Sequence, residues 1–161
     1  MAASTPLSSV AFSRRSLLAA SAAGLGVLLV GCTSDDGKAP VTAQQADELA
    51  GQVAAQQALV DAFAAAAAAD PGLGTAVADQ STQVGQQLDR LKAAAPGPSS
   101  SASSSAAAAV PAGQDPRAWL RGQVTATADS HAKACLGQTG ARAALLGSVA
   151  AGLRGMAGTL A

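Results

Sequence analysis

The 161 residues carry ten basic and ten acidic side chains, and aromatic residues make up 2% of the chain. Nucleic-acid recognition draws on clustered Lys and Arg and on aromatic stacking platforms, and a neutral chain with scattered charges and three aromatic rings supplies neither. There is no Ile, Asn or Tyr, and the excess of Ala and Gly marks a high-GC coding bias before it marks a function.

The most specific stretch lies near the start. Ser13-Arg14-Arg15-Ser16-Leu17-Leu18 places two arginines before an uncharged apolar run, Leu17 to Val30. That run is shorter than the roughly 20 residues a membrane-spanning helix needs, and its flanks suit a cleaved signal better than an anchor. It closes on Leu29-Val30-Gly31-Cys32, where small Gly31 fits a narrow peptidase site and the Cys32 thiol is a nucleophile that can take a diacylglyceryl group. Arg14 and Arg15 in this setting resemble a twin-arginine export motif, with ordinary Sec export as the other route. Leu29, Val30, Gly31 and Cys32 resemble a bacterial lipobox cut before the cysteine; the competing reading is an uncleaved signal anchor. Residues 1–31 are thus expected to be a signal peptide, and the lipid on Cys32 would hold the chain at the extracytoplasmic face of the cell membrane. With Cys32 committed to the lipid, Cys135 is left alone, either buried as a small helix residue or free to pair between molecules.

Residues 32–40, with Asp35, Asp36, Gly37 and Pro40, read as a polar tether lifting the following domain off the membrane. Residues 41–161 then read as one all-α domain. From 41 to 69 the chain is rich in Ala and Gln and holds one glycine, a helix-favouring composition. Leu49, Val53, Gln56, Val60, Phe63 and Ala67 recur at spacings of three and four, so a polar residue interrupts the apolar seam and is expected to hydrogen-bond within the core. Asp70-Pro71 ends that helix and starts the next, over about 71–94, Asp capping and Pro suiting the first turn. Val77, Val84, Leu88 and Leu91 mark its buried face; Asp79, Gln83, Gln86, Gln87 and Arg90 mark the polar one.

Residues 96–114 are a Pro-, Ser-, Gly- and Ala-rich segment that cannot bury enough surface to order itself. It is expected to be a disordered linker with the reach, some 25 Å, to cross one end of the domain or return along part of its length. Asp115-Pro116 starts a third helix, about 115–136, with Leu120, Val124, Thr127 or Ala128, His131 and Cys135 on one face and Trp119 closing over the core. Gly137 and Gly140 punctuate a turn, and a fourth helix spans about 141–159, with Leu145, Leu146, Val149, Leu153, Met156 and Leu160 as its seam. Gly147, Ala151 and Gly155 form a small-residue ridge expected to allow close helix approach. Two hairpins joined by the linker predict an antiparallel up-down-up-down four-helix bundle.

Chemistry-bearing candidates are few. His131 and Cys135, at i and i+4, could begin a metal site, but three or four protein ligands are usual. The plainer reading is a core histidine with one hydrogen bond. No phosphate-cradling glycine motif and no nucleophile elbow occur. The segments QQALVDAFAAAAAADPGLG and ADSHAKACLGQTGARAALLGSVAAGL resemble small exported actinobacterial lipoproteins of ferritin-like fold. The carboxylate and histidine ligands of iron-binding members are absent here, and only His131 sits at the place of such a ligand, so the resemblance implies the fold and not iron chemistry, with no cofactor. The expected role is a non-enzymatic binding or scaffold domain with an envelope protein partner. The alternatives are a carrier or sensor holding a small apolar ligand between the helix pairs, which requires a cavity there, and a metal-binding ferritin-like protein.

Overall fold

A computed structural model describes residues 41–95 and 109–161; the export signal, the tether and residues 96–108 of the linker lie outside them. The described residues are all-α, with five α-helices and one short 3-10 turn: α1 (Ala43–Ala69), α2 (Pro71–Ala76), α3 (Ala78–Ala94), α4 (Pro116–Ala134), the turn Cys135–Gly137, and α5 (Gly140–Thr159). None of these helices is long and apolar enough to cross a membrane.

Local chemistry accounts for the boundaries. Thr42 opens α1 with a reciprocal box: its hydroxyl accepts from the Gln45 N–H at 3.1 Å, and the Gln45 side-chain oxygen accepts from the Thr42 N–H at 3.3 Å. Asp70 ends α1 and caps α2, its carboxylate accepting from the Gly72 and Leu73 N–H groups at 2.9 and 3.1 Å. Asp115 repeats the device, accepting from Ala118 N–H at 2.7 Å ahead of Pro116. Ala109–Gln114 carries no regular structure beyond a turn, with Gly113 at φ 80°.

The expected helix 71–94 is broken. Val77, at φ −107° and ψ 13°, separates α2 from α3. Gly72 and Gly74 weaken the first segment as helix, and the break lets α2 lie against the end of α1: a Cβ on Gly74 would stand 2.8 Å from the Ala67 Cβ. The third helix also stops earlier than expected, at Ala134, and tightens into the 3-10 turn.

Pairwise contacts fix the direction of each long helix. Gly74 lies against Ala67, Gln56 bonds to Val84 and Gln87, and Lys92 reaches Gln57, so α3 runs back along α1. Ser130 bonds to Gln52, His131 to Gln56, and Gln138 to Gln45, so α4 also runs opposite to α1 and hence parallel to α3. Helix α5 turns again, with Leu146 joining Leu49 at one end and Leu160 joining Leu120 and Phe63 at the other. The up-down-up-down order is therefore corrected to up-down-down-up. Ala95 and Asp115 accordingly stand at opposite ends of α3, whose 17 residues rise about 26 Å.

The core follows the expected seams with shifts where alanine blurs the pattern. In α1 the buried positions are Leu49, Val53, Gln56, Leu59, Ala62, Phe63 and Ala66, while Val60 and Ala67 are half-buried. Leu120, Val124 and Ala128 of α4 and Leu146, Val149, Leu153 and Met156 of α5 are buried, with Leu145 half-buried. Trp119 is half-buried against this core. The Gly147/Ala151/Gly155 ridge does not mediate packing: a Cβ at Gly147 or Gly155 meets nothing within 4 Å. The close approach falls at Gly152 instead.

Candidate functional site

Four helices send one position each to a common level in the core. Gln56 of α1 is fully buried, as is His131 of α4; Gln87 of α3 is 7% exposed. Helix α5 contributes Gly152, whose missing side chain leaves room for Gln87: a Cβ there would stand 3.3 Å from the Gln87 Nε2. The sequence pattern assigned Gln87 to the solvent face of its helix. The structure buries it because it is the partner of Gln56.

The hydrogen bonds form a directed chain. Gln56 Nε2 donates to the Val84 carbonyl at 3.1 Å and to Gln87 Oε1 at 3.1 Å. Both amide hydrogens of Gln56 are thereby used, and its Oε1 can only accept. It lies 2.8 Å from His131 Nε2, so His131 carries its proton on Nε2 and keeps a bare lone pair on Nδ1. That Nδ1 is buried without a partner. Burial pushes the imidazole down from 6.5 to about 4, because a charged ring would have to shed its water. A proton on Nδ1 would also find no acceptor. At neutral pH this is an uncharged amide–imidazole cluster. The expectation that Gln56 hydrogen-bonds within the core holds, and its partners, unreadable in the sequence, are now named.

Could the cluster hold a metal? The Gln56 Oε1 faces an N–H, and the Gln87 Oε1 accepts from Gln56, so each amide oxygen already has a partner. The His131 Nδ1 is the one acceptor of the cluster without a hydrogen bond. Cys135, one turn on, is a half-buried free thiol whose Sγ donates to the Ala132 carbonyl at 3.2 Å. It packs with Leu49 and Leu91 nearer the end of the domain. Asp129 points to the surface, where it pairs with Arg154 at 3.1 Å. Among the described residues no three of His, Cys, Asp or Glu gather around one point, so His131 and Cys135 are not joined by a third ligand.

A second polar group was not legible in advance. Gln138, placed by the sequence in the tight turn between Gly137 and Gly140, is 5% exposed. Its Nε2 donates to the Gln45 carbonyl at 3.0 Å and to Glu48 Oε2 at 3.4 Å, while Gln45 Nε2 donates to the Gly137 carbonyl at 3.3 Å. These bonds bolt the α4–α5 turn to the first turns of α1.

Two surface clefts are open to solvent. One, of about 370 Å³, lies beside Trp119 and Asp115 at the start of α4; the other, of about 270 Å³, lies between Glu48 and Gln52 of α1 and Ser130 and Lys133 of α4. The second sits at the surface seam where the two helix pairs meet, while Leu59, Phe63, Val84, Val124 and Leu153 pack the interior. No known protein family, curated protein or solved structure matches the chain.

Proposed function

We propose that this chain is an extracytoplasmic lipoprotein, held to the cell membrane by acyl chains on Cys32 and presenting a non-enzymatic helical domain that binds or scaffolds an envelope protein partner. In this reading the four long helices form a ferritin-like bundle, since one long crossover between two helix pairs is the connectivity of that class. The observation that carries the non-enzymatic part is the makeup of the core cluster. Gln56 spends its amide on Val84, Gln87 and His131 and the cluster offers one unpartnered nitrogen, the His131 Nδ1, where an iron bundle would aim several carboxylates and histidines at a metal. The anchor part rests on Leu29 to Cys32, nine residues ahead of the start of the domain.

The test is metabolic labelling of the full chain with an alkyne fatty acid in a host with both export routes. Label should appear on the wild-type chain in the membrane fraction and vanish with Cys32→Ala. Replacing Arg14 and Arg15 together by Lys should stop export if the twin-arginine route is used and leave it intact under Sec. Label that persists in Cys32→Ala, or a chain retained in the cytoplasm, refutes the anchor.

A further inference from the structure

We propose that the α4–α5 turn is a membrane-contacting tip, with Leu136 seated in the interfacial layer of the bilayer to which Cys32 is attached. The inference rests on the lipid-anchor reading and adds to it an orientation and a contact residue.

Among the described residues Leu136 is the exposed large hydrophobic side chain, 85% accessible, in a chain that buries Leu49, Leu59, Leu91, Leu120, Leu146 and Leu153 almost completely. The turn that carries it is held firmly. Gln138 and Gln45 cross-bond the turn and the start of α1, and Gly137 lies so close to Glu48 that an added Cβ would stand 2.7 Å from its Oε2. Leu136 is thus presented outward from a fixed support.

That support is the end of the domain at which the chain arrives from Cys32. Nine residues extend to at most about 30 Å, whereas the 27 residues of α1 rise about 40 Å. An inverted domain, with its Asp70 end on the bilayer, would lift Val41 beyond the reach of the anchor. The tether therefore excludes the inverted pose and keeps the α1 start, with the turn bonded to it, within about 30 Å of the bilayer. Lys133, exposed one turn before Leu136, can reach anionic headgroups. Asp47 and Asp89 are exposed acids toward this end, with Arg90 and Lys92 as exposed bases, and Glu48 is occupied by Gln44 and Gln138, so the contact depends on Leu136 more than on charge. One leucine adds little affinity by itself, but the lipid already confines the domain to the surface; the leucine then selects its orientation.

The experiment uses the lipidated full chain with Cys135→Ala and a single fluorophore on Thr139→Cys, or on Ala69→Cys at the opposite end of α1. The protein is placed in phosphatidylcholine–phosphatidylglycerol vesicles with or without bromine on the upper acyl chain. Brominated lipid should extinguish much of the emission at position 139, none at 69, and the quenching at 139 should be lost when Leu136→Ser is added. Flotation with the vesicles but equal emission at 139 in both lipids, or quenching unchanged by Leu136→Ser, overturns the tip and leaves the anchor standing. Flotation no better than that of Cys32→Ala removes the anchor and this inference with it.

Discussion

His131 makes the domain acid-sensitive in a calculable way. In the unfolded chain its imidazole titrates near 6.5, and in the folded chain near 4. Between those values the unfolded state binds the proton and the folded state does not, so stability falls as pH falls. Above about pH 6.5 nothing is lost. At 1.36 kcal/mol for each pH unit of difference, the loss grows to about 3 kcal/mol once the pH has passed below 4. For a domain whose total stability is of the order of 5–15 kcal/mol, that is a large share, on the order of 10 °C in Tm. The measurement is urea unfolding of residues 32–161 carrying Cys32→Ala, followed by circular dichroism from pH 7.5 to 4. The reference is His131→Gln, which can still donate to the Gln56 oxygen but does not titrate. The variant should lose about 1–2 kcal/mol at pH 7.5 through imperfect packing and lost hydrogen-bond geometry, and its stability should fall less steeply on acidification. The carboxylates titrate in both proteins and cancel in the difference. Parallel curves for the two proteins between pH 6.5 and 4.5 would refute the assignment of a dry, neutral imidazole.

Replacing Gln56 by Leu should cost about 2–4 kcal/mol by urea unfolding, because it strands the Gln87 amide oxygen and the His131 N–H together. Gly74→Ala, whose Cβ would press 2.8 Å from the Ala67 Cβ and 3.2 Å from its Cα, should cost about 1–3 kcal/mol. Gly85→Ala, in the interior of α3 with nothing within 4 Å, should instead raise stability by about 0.5–1 kcal/mol in the same melt. Asp115→Ala removes the acceptor for the Ala118 N–H and should cost about 1 kcal/mol, with early amide exchange confined to the first turn of α4.

Sequence punctuation was the most informative guide to the fold. The two Asp-Pro pairs marked helix starts correctly because capping and a fixed proline φ are local effects. Gln56 was recognisable because a lone polar residue stood in an otherwise apolar seam. Gln87 was not, because it sits among Gln83, Gln86 and Arg90 and one amide looks like another until its partner is known. Val60 and Ala67 were favoured over Leu59 and Ala66 because an alanine-rich run offers little contrast between faces. The direction of α4 is decided by contacts between residues 75 to 93 positions apart, and nothing local encodes it. Glycine spacing pointed to Gly147 and Gly155, whereas Gly152 is selected by the bulk of Gln87 on another helix.

The connectivity of the core cluster has a consequence for how the chain reaches its folded state. Gln56 is among the first residues of the domain to be synthesised, yet its partners arrive at residues 84, 87 and 131. A nascent chain that has released only α1–α3 carries a buried-type amide oxygen with no donor and an apolar face with half its cover. The first hairpin is then an incomplete object, and the second, taken alone, holds a histidine whose one acceptor lies on the other side of the crossover. Neither half is a module that recombination could move or a protease could leave standing. The domain completes its interior when α4 has joined α1, so the crossover connects two pieces that become stable only as one.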